Sequence, residues 1–287
     1  MNKRFFILIA LAAGFCACSN DDDKLLQEEP APVRKISIEV IENPMVIDGT
    51  KGSLSATRGS VISTSSLNSF KMNYESDDEY SVSKSGDTWN TTPDSWPYGV
   101  HYDEPITFYA YTGGKYQYPG DYISFTIDEN ADKQKDLLVA TDKVSYNYAQ
   151  GKVTLAFDHA CAAVDFQLCI SNTLRSALGT DLSINSVTLV NIKNTGKYYY
   201  STGWSGLDGS AYYTLTNSVF SLGTSLQTLG CGTLFLIPQT FGADTGLRIN
   251  YTVSGNQKET FVSMAGYELK AGNQYTANIK LGTAHIN

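Results

Sequence analysis

The sequence predicts an all-β protein, and three observations carry that prediction. There are 19 Tyr and 24 Gly against only 17% charged residues, a composition suited to sheets whose faces are half buried. Short apolar runs alternate at period two and are broken by turn residues at the spacing of a β-sandwich. A helical pattern is confined to Thr173–Leu178, with Gly179 as its cap. Apolar residues make up 42% of the chain, enough to fill substantial cores.

The first element is a leader. Met1 to Arg4 carries two positive charges, Phe5 to Phe15 is apolar, and Ala17-Cys18 then meets Ser19-Asn20-Asp21-Asp22-Asp23. The apolar run is shorter than the roughly 20 residues needed to cross a hydrocarbon core. Residues 1–17 therefore read as a removable lipoprotein signal and not as an anchor helix. The anchor is then covalent lipid on Cys18. Cys16 is the rival, but bulky Phe15 precedes it, whereas small Ala17 suits the peptidase before Cys18. Each buried methylene contributes about 0.8 kcal/mol, so two acyl chains hold the protein firmly on a membrane. Phe15 departs from an ideal lipoprotein box, where Leu is usual. The acidic run resembles the surface-export signal of Bacteroidetes lipoproteins; the plainer reading is a solvated linker.

Residues 18–35, with Glu28, Glu29, Pro30, Pro32, Arg34 and Lys35, are polar and proline-bearing, and read as a tether. Alternation from Ile36 to Ile41 puts Ile36, Ile38 and Val40 on one face of a strand, which Asn43-Pro44 ends. The Gly/Ser/Thr-rich stretch 48–66 holds Arg58 between Thr57 and Gly59, a soft setting for a protease. Strands follow at Phe70–Tyr74, Tyr80–Val82, Trp89 and Ile106–Tyr111, and a further apolar run spans Asp136–Ala140. Val153, Leu155 and Phe157 then share one parity, while Val164, Phe166, Leu168 and Ile170 share the other. A two-residue period changes face only through an irregular step, so a bulge or bend is expected near His159-Ala160-Cys161. The chain is accordingly divided into domains 36–150 and 151–287. The second holds strands at Ile184–Ile192, Tyr198–Tyr200, Tyr212–Leu215, Gly232–Ile237 (ended by Pro238), Leu247–Val253 and Tyr275–Leu281.

Several function classes are excluded or weighed down. A net charge of -8 without clustered Lys or Arg argues against nucleic acid. Asp128-Glu129-Asn130-Ala131-Asp132 resembles the start of a calcium loop, but Lys133 and Val139 occupy the positions that want Gly and Glu, so an EF-hand is rejected. His101, His159 and His285 form no zinc signature. His159 beside Asp158 and Cys161 reads as structural, because catalytic dyads are assembled from distant parts of a fold. With Cys18 lipidated, Cys161, Cys169 and Cys231 are an odd set that implies no disulfide framework, and Cys161 and Cys169 read as small buried hydrophobes. Gly203, Gly206 and Gly209 lie between β-like runs and open no helix, as a phosphate cradle would. The chain is read as non-enzymatic, with no cofactor and no metal.

Tyr198, Tyr199, Tyr200, Trp204, Tyr212 and Tyr213 form an aromatic stretch. Cross-strand ring pairing is the favoured reading. The competing one is a glycan platform centred on Tyr199 and Trp204, on a surface-anchored lipoprotein that does not polymerise.

The joint order of these pieces resembles the fimbrillin family, pilus subunits and fimbria-associated lipoproteins of Bacteroidetes. The resemblance spans nearly the whole chain. It rests on the lipoprotein box, the isoleucine strand followed by Thr57-Arg58, and Leu67-Asn68-Ser69-Phe70 leading to Trp96-Pro97 and Phe108–Tyr111. It rests also on Asp136-Leu137-Leu138-Val139-Ala140, Val153 to Ala160, Leu236-Ile237-Pro238-Gln239, and Leu269 to Tyr275 before the last strand. It implies two tandem β-sandwich domains of transthyretin-like type. It also implies a precursor lipidated on Cys18, carried to the outer membrane surface and cut between Arg58 and Gly59, so that 36–58 is a removable pro-strand. Implied partners are other pilus subunits, through strand exchange, and a host protein or glycan. Only Gly282 to Asn287 follow the last strand, which speaks for a tip, accessory or anchoring subunit over a stalk.

Overall fold

The alternating isoleucines at the amino end build a strand, β1, over Ser37–Glu42. In the computed structural model, which describes residues 34–47, 67–179 and 181–286, β1 closes one end of a seven-stranded sheet. The order is β1, Lys152–His159, Leu138–Val144, Ile106–Tyr111, Ser69–Tyr74, Glu79–Ser85 and Thr88–Thr92. β1 runs parallel to Lys152–His159, and the remaining neighbours are antiparallel. A bridge between Lys35 and Ser95 brings the two ends of this sheet together, so it curls around its own core. That core contains Phe70, Met72, Phe108, Leu155 and Phe157, none more than 4% exposed.

Three further sheets share a second core, among the described residues. One carries Ala162–Ile170 beside Asn273–Leu281 in parallel, with β2 (Val46–Ile47) on the outer side of the latter. Another is antiparallel, in the order Ala211–Thr216, Leu182–Ile192, Gly246–Val253 and Asn256–Ser263. The last pairs Gly203–Asp208, Thr195–Tyr199, Tyr122–Thr126 and Lys115–Gln117. Phe166, Leu168, Ile170, Leu189, Tyr213 and Leu247 are fully enclosed between them. The architecture is thus all-β, and among the described residues the α-helices are two short pieces, Tyr146–Ala149 and Asn172–Leu178, with one 3-10 turn at Ala131–Lys133. In the second helix, the Ser171 hydroxyl accepts from Leu174 N, the expected N-terminal cap, and Gly179 N donates to Arg175 O at the other end, with φ +62° and ψ -128°, outside the left-handed helical region and open to glycine alone.

The expected irregularity at His159-Ala160-Cys161 is where the chain crosses between the cores: one strand ends at His159 and the next starts at Ala162. The parity changes there because the strand changes sheet, not because a single sheet is bulged. Lys152–His159 therefore lies in the first sheet, which places the crossing after the sequence division at 150/151. Residues 115–126 also leave their half of the chain, since Tyr122–Thr126 pairs with Thr195–Tyr199.

Two strand pairings had little apolar signal. Asn256–Ser263 is mostly polar and solvent-facing. It is held by its register with Gly246–Val253, through a turn whose central residues Ser254 and Gly255 both have positive φ, the twist-matched geometry of a two-residue hairpin. Lys115–Gln117 is only three residues long.

Candidate functional site

β1 is the element on which an assembly function turns, and its position follows from its sequence. Ile36 is 8% exposed, and Ile38 and Val40 pack beside it on the first core. Ser37, Glu39 and Ile41 face outward. On one side Ser37 N donates to Gly151 O at 2.8 Å and Asn43 N to Phe157 O at 3.1 Å. On the other side, at its start, Ile36 N donates to Asp94 O (3.0 Å) and Trp96 N to Arg34 O (2.8 Å). The Arg34 guanidinium lies 3.5 Å from the centre of the Tyr102 ring, a cation–π contact that fixes the entry of the strand. The outer face is tied by charge: Lys152 Nζ lies 2.8 Å from Glu39 Oε2, and the Thr154 hydroxyl donates to the same oxygen at 3.1 Å. The Lys152 hydrogen bond first, and then that of Thr154, hold the Glu39 carboxyl below its ordinary range.

After Asn43 the chain passes to the second core. Met45 is buried there, and Val46 N donates to Gly272 O at 2.7 Å. β2 pairs with Asn273 and Gln274, the start of the strand Asn273–Leu281. Farther along that strand, Ala277, Asn278 and Ile279 line a groove of about 270 Å³ with Val262, Met264 and Tyr267. Among the described residues the buried Asn278 Oδ1 has no hydrogen-bond partner.

The crossing point is pinned by a buried polar set. The Asp136 carboxylate takes His159 Nδ1 on one oxygen and accepts from Cys161 N at 3.3 Å on the other. The two side chains are 2% and 1% exposed. Ala160 N donates to Leu137 O (2.8 Å), Gly272 N to Cys161 O (3.0 Å) and Trp204 Nε1 to Ala160 O (2.6 Å). Burial, and next the nearby Asp136 charge, push the Cys161 thiol far up, which keeps it protonated. The Cys161 thiol is thus held in its unreactive form, and the geometry of the cluster is that of a joint.

The candidate glycan residues are occupied by packing. Tyr198 faces Trp204 across the hairpin with ring centres 5.5 Å apart, and Tyr199 meets Tyr122 at 5.1 Å. Trp204 also packs on Phe125 at 6.1 Å. The fold brings Tyr199 and Trp204 into one hairpin, but points Trp204 into the second core. Cys169 is buried and Cys231 half buried, far apart in sequence and unpaired. His101 sits on the surface beside Asp103 and His285 caps Gly282 N at 3.1 Å. Cys18, Arg58 and Gly59 lie outside the described residues. The role of Asp136 had no local signal in sequence, because its partner His159 is 23 positions away.

Comparison with known proteins follows the same lines. A family model described as fimbrillin-like matches residues 53–287. Among solved structures, a fimbrial protein from Bacteroides vulgatus is 15% identical, with 86% of this chain and 95% of that chain covered and a TM-score of 0.53. A candidate cell adhesion protein from Bacteroides eggerthii is 13% identical, with 88% of each chain covered and a TM-score of 0.51. Another from Parabacteroides distasonis is 10% identical, covering 87% of this chain and 88% of that one, with a TM-score of 0.50. At these identities the likeness is one of fold. No curated protein matches the chain.

Proposed function

The chain belongs to the fimbrillin-like family, and from that premise we propose that it is a pilus subunit, in a tip, accessory or stalk position, that serves adhesion and assembles by strand exchange. Family membership implies a cell-surface location, and it suggests a structural, non-catalytic protein. No described helix is long and apolar enough to cross a membrane. In this reading Cys18 carries the lipid that holds the chain at the outer membrane. The two cores are two sandwich domains of transthyretin-like type, joined at Ala160-Cys161.

One observation carries the assembly reading: the first strand after the tether is an inserted one, with backbone bonds along Lys152–His159 and Ile36, Ile38 and Val40 seated in the first core. A cut between Arg58 and Gly59 turns β1 and β2 from covalent parts into displaceable ones. Their departure bares the backbone groups of Lys152–His159 and three apolar sockets. An edge of that kind recruits a strand from a second subunit, which restores main-chain hydrogen bonds along its length. The groove beside Asn273–Leu281 continues the same track on the second core. A head-to-tail contact whose rotation does not close repeats into a filament. Other pilus subunits are then the partners, with a host protein or glycan as the adhesive target.

Limited trypsin treatment tests this. Wild-type protein should lose the segment ending at Arg58, seen by mass spectrometry, and form multimers. Arg58→Ala should do neither. If the two proteins assemble alike, activation by this cut is wrong.

A further inference from the structure

The fold divides the aromatic stretch and leaves one ring facing solvent above a groove. In the strand Ala211–Thr216, Ala211, Tyr213 and Leu215 turn into the second core. Tyr212 is 44% exposed and shares the outer face with Thr214. Its hydroxyl lies 3.3 Å from Asn191 Oδ1, which steadies the ring. Opposite stands the loop 128–134, the sequence that failed as a calcium loop. Asp128 Oδ1 accepts from Asn130 N at 2.8 Å and Asn130 Oδ1 from Asp132 N at 3.0 Å. Gln134 ties the loop to the second core, with Nε2 donating to Asp128 O (3.0 Å) and Oε1 accepting from Phe235 N (2.9 Å).

Between the strand and this pinned loop lies a cavity of about 570 Å³, lined by Glu129, Asn130, Asp132, Tyr212, Thr214 and Asn217 among others. That volume is in the range of small-molecule sites, roughly 300–1,000 Å³. Glu129 and Asp132 form no ion pair among the described residues. The described residues also contain no group of three His, Cys, Asp or Glu side chains able to hold a metal. What remains is a set of hydrogen-bonding groups around one aromatic face. Carboxylates accept from hydroxyl pairs, and the Asn130 and Asn217 amides both donate and accept. The Tyr212 ring offers a flat surface for the C–H face of a pyranose. Two unpaired carboxylates repel an anionic ligand in a partly enclosed groove.

We propose that this groove binds a short neutral glycan and excludes sialylated or sulfated ones. The proposal names the ligand for the adhesive part of the function above and rests on that reading only for its biological meaning. It is measured on single subunits, so a failure of binding and a failure of assembly are separate results.

The experiment is saturation-transfer NMR and calorimetry on the purified full chain. The probes are maltotriose, mannotriose and N-acetylchitotriose as neutral sugars and sialyllactose as the anionic one. At least one neutral trisaccharide should bind at millimolar or tighter affinity, with sialyllactose silent. Tyr212→Ala and Asp132→Asn should each weaken binding at least about tenfold, while Trp204→Phe leaves it unchanged. Asp132 is an exposed loop residue, so Asp132→Asn decides the matter if Tyr212→Ala melts early. Silence from all three neutral sugars, stronger binding of sialyllactose, or wild-type affinity in a folded Asp132→Asn protein overturns the proposal.

Discussion

Removing the Asp136 carboxylate should weaken the joint between the two cores more than any surface change. In Asp136→Ala, His159 loses its partner at Nδ1, and its Nε2 already has none. Cys161 N loses its acceptor as well. All of this happens where the side chains are 1% and 2% exposed, so water does not readily replace the lost bonds. Breaking a buried charged or strongly hydrogen-bonded pair on one side costs about 3–5 kcal/mol. For a chain of this size each kcal/mol moves Tm by about 2–4 °C, which puts the expected drop at roughly 6–20 °C. Asp136→Asn keeps an acceptor for Cys161 N and should lose about half as much. Replacing both partners, Asp136→Leu with His159→Phe, removes the demand of the imidazole and leaves only Cys161 N without its acceptor, so it should recover much of the loss. Calorimetric melting and urea titration of wild type, Asp136→Ala, Asp136→Asn, Asp136→Leu, His159→Phe and the double variant measure the cycle. If Asp136→Ala stays within about 1 kcal/mol of wild type, or the double variant loses the sum of the singles, the joint is not held in this way.

Three further outcomes follow from named contacts. A Cβ on Gly246 would lie 2.3 Å from Val262 O and 2.7 Å from the Phe261 ring, so Gly246→Ala should cost about 1–3 kcal/mol and raise hydrogen exchange in Asn256–Ser263; unchanged exchange there would refute the contact. The Glu39 carboxyl, held by Lys152 and then Thr154, titrates below its ordinary 4.5 when folded, so its contribution is complete above that value and fades as acid takes the pH through the lowered one. Amide exchange in β1 should therefore quicken on acidification in that window, and Glu39→Gln should flatten this component; equal acid responses in the two proteins would count against it. Burial pushes the Cys231 thiol up to about 11, so at neutral pH iodoacetamide should label it roughly a hundredfold more slowly than a thiol of ordinary pKa. Cys161 should label only on unfolding, and rapid labelling of either thiol would contradict its burial.

Much of the strand pattern was legible because it is local. The alternation of Ile36, Ile38 and Val40 marked one buried face, and the structure seats those side chains on the first core. The helix after Ser171 was readable from its residues and its glycine cap. The parity change between Phe157 and Val164 was readable too, although its cause, a strand leaving one sheet for another, was not. Strands without an apolar face were missed. Asn256–Ser263 owes its existence to a turn and to a partner strand, and its own side chains mostly face water. The same limit applied to the aromatic stretch: six neighbouring rings look like one surface in sequence, yet alternation and hairpin pairing send Trp204 inward and leave Tyr212 outside.

By itself the sequence determined the all-β class, the place where the chain changes face, and an amino-terminal strand built to fit one side of a sheet. These are period-two and turn properties, carried by residues close together along the chain. Only the tertiary structure decided that β1 runs parallel to Lys152–His159, that Asp136 meets His159 at the joint, and that Tyr212 faces the loop 128–134 across a groove. Those relations join residues far apart in sequence, and their energies arise from burial and pairing that exist only once the sheets have packed.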